Sequence, residues 1–198
     1  DWDSDPDKLE RARVTAERIR EVAKVTKDMR AFEYGCGTGQ VSFFLQPYLG
    51  ELVLADDSKG MLEVVREKIK RAGVNNMRAI NLDLSKDGLP SNEKFDLIHV
   101  SMTLHHIIDT APVLDAFHKL LAPGGSLCIA DFDLDDGSFH ADHPDFDGHH
   151  GFDRGELKKM LEDADFKVES FETCFMIDKE IDGQARQYPV FLAHARKA

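Results

Sequence analysis

Ala31-Phe32-Glu33-Tyr34-Gly35-Cys36-Gly37-Thr38-Gly39 is the stretch that decides how this chain folds. A short apolar run closes on an acidic residue and then meets three glycines at alternate positions. Beyond them Val41, Phe44, Leu45, Tyr48 and Leu49 recur at helical spacing. Strand, glycine turn and helix form the unit with which α/β proteins bring backbone against a nucleotide-like ligand. Glycine allows it because it accepts positive φ and has no Cβ in the way.

The spacing of the glycines selects the ligand. Dinucleotide turns read G-x-G-x-x-G, with the last glycine beneath a pyrophosphate. Here Gln40 holds that last place and the third glycine comes one residue early, at Gly39. Glu33 would repel a phosphate, but it can accept hydrogen bonds through water from an ammonium group. The turn therefore suits a nucleoside joined to an amino acid. The run Glu33-x-Gly35-x-Gly37-x-Gly39 resembles motif I of the class I S-adenosylmethionine-dependent methyltransferases.

The remaining segments follow in that family's order. Pro6 to about Val25 predicts an amphipathic helix with Leu9, Ala12, Ala16, Ile19 and Ala23 on one face. It either packs on the sheet or closes over the ligand. Glu51-Leu52-Val53-Leu54-Ala55-Asp56-Asp57 predicts a second strand ending in two acids. Asp56 lies where a βαβ unit places an acid for ribose hydroxyls, and a carboxylate there can accept from both. Asp57 is a helix-start acid, and Ser58 can cap the helix that carries Met61, Leu62, Val65 and Ile69. A third strand over Met77 to Leu82 leads to Asp83-Leu84, and Ser85 to Lys94, with Gly88 and Pro90, reads as a polar connection.

Phe95 to Ser101 predicts the fourth strand, and Ser101-Met102-Thr103-Leu104-His105-His106 again resembles the methyltransferase family. The N/D-P-P-Y signature of base-amino methyltransferases is missing at that strand end. Asp109-Thr110-Ala111-Pro112 reads as a capped helix entry. Ala122-Pro123-Gly124-Gly125 then stops that helix and feeds a fifth strand over Ser126 to Asp131. Residues 131–153, rich in Asp, Gly and His, read as a loop over the rim of the site. Asp153 to Glu156 resembles a capping box. Phe166–Ile177 and Tyr188–Ala195 predict two last strands joined by a polar Asp178–Gln187 link.

The resemblance implies one domain over residues 1–198, with residues 1–28 as an N-terminal helix. It implies an α/β, Rossmann-like, mostly parallel seven-stranded sheet of order 3-2-1-4-5-7-6, with an antiparallel C-terminal hairpin and helices on both faces. It further implies S-adenosyl-L-methionine as cofactor, with Gly35, Cys36, Gly37 and Gly39 against its amino-acid end and Glu33 at the ammonium. Asp56 and Asp57 would stand near the ribose, Asp83 at the adenine amine, with Met61, Leu84 and Ser101 beside them. Cys36 reads as a small residue in a tight turn rather than a nucleophile.

Composition narrows the partner. The 198 residues carry 25 Lys and Arg against 37 Asp and Glu, a formal charge of -12 that disfavours nucleic acid and anionic membranes. No apolar stretch approaches the roughly 20 residues of a membrane span. Cys36, Cys128 and Cys174 form no C-x-x-C pair, as expected of reduced thiols in the cytoplasm. His140, His143, His149 and His150 lack fixed ligand spacing, so no metal is expected. His105, His106, His149 and His150 are the candidate general bases for a small-molecule methyl acceptor. The alternatives are a non-catalytic module binding the donor or its product, or a nucleotide-dependent oxidoreductase.

Overall fold

The computed structural model describes residues 2–89 and 92–198; Pro90, expected in the polar connection, lies outside them. Seven strands form one sheet in the order β3-β2-β1-β4-β5-β7-β6. They are β1 (Arg30–Tyr34), β2 (Glu51–Asp56), β3 (Met77–Asn81), β4 (Phe95–Ser101), β5 (Leu121–Phe132), β6 (Phe166–Ile181) and β7 (Gln184–Lys197). The first five run parallel, and β7 is antiparallel to both β5 and β6.

Among the described residues five α-helices cover the sheet: α1 (Pro6–Val22), α2 (Gln40–Leu45), α3 (Lys59–Ala72), α4 (Ala111–Leu120) and α5 (Arg154–Asp163). Strand alternation divides the core in two. Ala31, Leu52, Leu54, Leu97 and Cys128 pack with Ile19, Val41, Leu45, Leu62 and Val65 on the face of α1, α2 and α3. Phe32, Val53, Ile98, Val100 and Ile129 pack with Leu114, Phe117, Leu157 and Leu161 on the face of α4 and α5. The inner parallel strands β1, β2, β4 and β5 are buried on both faces over most of their length and read as apolar runs, whereas the edge strand β3 is partly exposed.

Four boundaries depart from the sequence reading. Helix α1 ends at Val22, because Lys24 turns left-handed at φ 52. Strand β5 begins at Leu121, taking in the Pro123-Gly124-Gly125 turn through a register shift opposite Phe95 and Leu97. Helix α4 starts after Thr110 without a side-chain cap, Pro112 supplying its first-turn geometry instead. The expected Asp178–Gln187 link is continuous β6–β7 ladder closed by Asp182 and Gly183 alone. Both have positive φ, 51 and 74, the backbone of a two-residue turn matched to strand twist. Two expected caps do form: Ser58 accepts from Met61 N, and Asp153 accepts from Gly155 N and Glu156 N.

Candidate active site

The glycine turn and three strand ends build a crevice. Gly35 has φ +67, and a Cβ there would lie 2.0 Å from Thr103 Cγ2, so only glycine lets the β1 turn sit against the β4 loop. Thr103 Oγ1 seals that approach by donating to Gly35 O at 3.0 Å. Asp56, at the end of β2, accepts from Gly37 N at 2.8 Å and from Ser58 N at 2.9 Å. The carboxylate therefore fastens the glycine turn while lining the crevice. Asp57, Met61 and Asp83 share with Asp56, Gly35 and Gly37 the wall of a cavity of about 660 Å³. Burial pushes Asp83 up, but hydrogen bonds from Lys86 and Ser85 outweigh it and hold the carboxyl below its ordinary value.

A smaller hollow of about 130 Å³ continues the crevice past Gly35, Gly37 and Met61, and Glu33, Cys36 and Ser101 line it. Glu33 is 2 % exposed, and its Oε2 lacks a hydrogen-bond partner among the described residues; Ser42 Oγ beside it is also unpartnered. Its cross-strand neighbour His99 stands with Nδ1 3.7 Å from Oε1, too far for a hydrogen bond. Burial pushes Glu33 up to about 8, against the opposing pull of the adjacent Ser42 and Lys68 and with the charge of Asp56 adding to it, while burial alone pulls His99 down to about 3. A protonated carboxyl beside a neutral imidazole thus floors the hollow at neutral pH, short of one partner. Burial also pushes the Cys36 thiol well up, leaving it a poor nucleophile.

Two sequence-expected residues face elsewhere. Leu84 packs in the core, its N–H donating to Tyr34 Oη at 3.2 Å. Gly39 stands as the N-cap of α2 at φ +77, outside both linings, with Leu54 Cδ2 3.0 Å from where a Cβ would be.

Beyond Met102 opens a cavity of about 930 Å³, roofed by α1, residues 139–146 of the rim loop and the β6 end. His105, buried in the short turn after β4, stands in its wall, and its Nδ1 lies 2.8 Å from Asp131 Oδ1. A carboxylate only accepts, so Nδ1 carries the proton and Nε2 is left basic. Asp131 is completely buried and is held in place by His105 N and Phe132 N as well. His106 lines both this cavity and the 660 Å³ crevice, and burial lowers its pKa. Met102, at the junction with the small hollow, has φ 53, a left-handed strain of the kind found at functional sites.

His149 and His150 are not in that wall. His149 Nε2 donates to Ile107 O at 2.9 Å, and its N–H donates to His105 O at 2.7 Å, so it stitches the rim loop to the His105 turn. His150 is exposed behind Gly137. His140 enters the wall instead, stacked on Phe146 at 3.7 Å and pulled down to about 4 by burial and the neighbouring histidines. Among the described residues no group of His, Cys, Asp and Glu is arranged to hold a metal.

The N-terminal segment is fastened to the glycine turn. Asp3 accepts from Thr38 Oγ1 at 2.6 Å, from Gln40 Nε2 at 3.2 Å and from Lys68 Nζ at 3.0 Å. This brings Lys8 and Arg11 of α1 into the walls of both the small hollow and the large cavity. Sequence reading missed Asp131 and Arg11. The signal for Asp131 was an acid closing the apolar β5 run; for Arg11 it was a cation adjoining the apolar stripe at Ala12.

A methyltransferase-domain family model matches residues 25–189. An uncharacterized methyltransferase of Schizosaccharomyces pombe is 36% identical over 124 residues, 59% of this chain and 44% of that protein. The ubiquinone/menaquinone biosynthesis C-methyltransferase UbiE of a Shewanella species is 30% identical over 116 residues, 57% of this chain and 46% of its own. The match thus spans less than half the length of these curated relatives. A putative methyltransferase from Bacillus halodurans superposes with TM-score 0.79 at 17% identity, over 92% of this chain and 98% of its own. The N-methyltransferase NodS of Bradyrhizobium japonicum, solved with S-adenosyl-L-homocysteine, does so with TM-score 0.73 at 20% identity, over 99% of this chain and 90% of its own. These two likenesses concern the fold. No helix among the described residues is long and apolar enough to cross a membrane.

Proposed function

This chain belongs to the class I S-adenosylmethionine-dependent methyltransferases, and from that premise we propose that it methylates a small molecule held in the cavity beside His105. The observation that carries the reading is the meeting of two cavities at one strand edge. His106 walls both, with Asp56 and Asp83 on one side and His105 with its Asp131 partner on the other.

When bound, S-adenosylmethionine supplies an electrophilic sulfonium methyl for in-line attack. The residues that fit it are Glu33 toward the ammonium, the Gly35–Gly37 turn beside the amino-acid end, Asp56 at the ribose and Asp83 at the adenine amine. Each Asp56 oxygen accepts one backbone N–H and keeps a second lone pair for a hydroxyl. The unpartnered Glu33 Oε2 is the feature that most needs a cationic ligand.

The chain's own work is to align two reactants and exclude water, and alignment supplies about 7–11 kcal/mol in well-placed systems. Where the acceptor carries a proton, His105 Nε2 takes it, with Asp131 fixing the tautomer and stabilising the imidazolium. His149 positions that turn through the His105 carbonyl. A small molecule suits the cavity because α1 and the rim loop roof it over, and because the charge of -12 repels nucleic-acid backbone.

Calorimetric titration with S-adenosylmethionine tests the donor half of the reading. Binding by the wild type, weakened at least about tenfold in a folded Asp56→Ala variant, is expected from the loss of a two-bond, charge-assisted contact. No binding, or equal binding in both proteins, overturns it.

A further inference from the structure

We propose that Arg11 is the receptor for a carboxylate carried by the methyl acceptor, so that this cavity takes a carboxylic acid with an apolar body. The inference rests on the methyltransferase reading and adds the class of acceptor to it.

The other arginines of this acidic chain are paired or solvated: Arg20 lies over the Tyr48 ring, Arg66 and Arg196 donate to backbone carbonyls, and Arg71 is exposed. Arg13, Arg18, Arg30, Arg78, Arg154 and Arg186 each meet a carboxylate in a salt bridge. Arg11, on the sheet-facing edge of α1, has neither a hydrogen bond nor a salt bridge with any described residue, although its side chain is held between two cavities. Asp5 and Asp131 act on it only through space, and burial pulls its pKa below the ordinary guanidinium value. A half-buried guanidinium without a partner is unfavourable, and a planar carboxylate is the ligand its paired donors match. The other two cations of the large cavity are engaged: Lys8 with Asp5, and Lys179 with Asp142.

The surroundings define the rest of the ligand. Met102, Phe139, Phe146, Phe175 and Ile177 give the cavity its apolar walls. His105 stands in the same wall, and the Asp131 that orients it is one of the two acids acting on Arg11. A ligand that pairs its acid with Arg11 is therefore placed against the candidate base. The donor also has a carboxylate, and Arg11 touches the small hollow as well; its link to the His105–Asp131 side assigns it to the acceptor.

Matched acid and amide pairs test the assignment: cinnamate against cinnamamide, and hexanoate against hexanamide. Each is titrated by calorimetry into the wild type, Arg11→Gln and Arg11→Lys, with and without saturating S-adenosylhomocysteine. We expect the wild type to prefer at least one acid over its amide by about tenfold or more, Arg11→Gln to lose the preference, and Arg11→Lys to keep part of it. Affinity for S-adenosylhomocysteine should stay within about threefold across the variants. Absence of an acid preference in the wild type overturns the proposal, as does a preference that persists in Arg11→Gln. A loss of about tenfold or more in S-adenosylhomocysteine affinity overturns it too, by giving the guanidinium to the donor. Failure of the wild type to bind S-adenosylhomocysteine at all defeats the methyltransferase reading instead, and the titrations without it still decide the role of Arg11.

Discussion

The proposed role of Glu33 at the donor's ammonium couples donor binding to loss of the Glu33 proton. Its carboxyl is raised from 4.5 to about 8 by burial and by Asp56, with Lys68 the opposing charge and His99 held neutral. At pH about 7 ionising it costs about 1.4 kcal/mol, one pKa unit's worth, and an ammonium ligand that needs the carboxylate must supply it. The apparent Kd for S-adenosylmethionine should then fall roughly 75-fold between about pH 5.5 and about pH 7.5, with nearly one proton released per donor bound at pH about 6.5. Calorimetry in buffers of different ionisation heats measures both quantities. Stability should move the other way in the ligand-free protein. A raised carboxyl stabilises the fold fully below about pH 4.5, and that contribution is lost as pH rises to about 8, a span of a few kcal/mol. Glu33→Gln, a neutral isostere, should weaken donor binding and flatten both pH dependences. A wild-type Kd that does not change over this interval, with no proton released, would refute the reasoning.

Three further outcomes follow from the geometry. His105→Ala and Asp131→Asn should each lower kcat by about 10²–10⁴ for an acceptor that must lose a proton, with donor Kd unchanged; parallel loss of donor binding would remove the base role. Gly35→Ala should destabilise the protein by clearly more than Gly37→Ala in urea unfolding. Both bear a positive-φ penalty of about 1 kcal/mol, but only Gly35 would drive a Cβ into Thr103; equal losses would contradict the packing at that turn. Met102→Gly should stabilise the β4 end by up to about 1 kcal/mol by relieving its left-handed backbone, offset by lost side-chain packing, while impairing turnover; thermal unfolding and steady-state kinetics separate the two effects.

The fold was legible because its signals are local. Alternation along buried strands, glycines at every second position and acids at strand ends are each confined to a few residues. Asp56 could be placed from its distance to Gly35 alone. The hairpin turn was missed because Asp182-Gly183 sits inside a polar stretch, where edge strands of long hairpins look like loops. The site was less legible, because its pairs join distant parts of the chain. His105 and His149 read alike as neutral-pH bases, and only the fold separates a ring on Asp131 from one bound to the Ile107 carbonyl. Leu84 follows Asp83 in sequence, yet it turns into the core while Asp83 stays in the crevice wall. Arg11 reads as one more solvated helix cation until α1 is seen fastened over the strand ends by Asp3.

Transfer itself is the most direct test of the account. The protein should be incubated with methyl-labelled S-adenosylmethionine and a fractionated metabolite extract, and the label followed by mass spectrometry. The account expects label in a small molecule of the wild-type reaction, together with S-adenosylhomocysteine in equal amount, and much less of both with His105→Ala where the acceptor must lose a proton. Donor binding without any labelled small molecule across the extract would contradict it and leave a module that only holds the nucleoside.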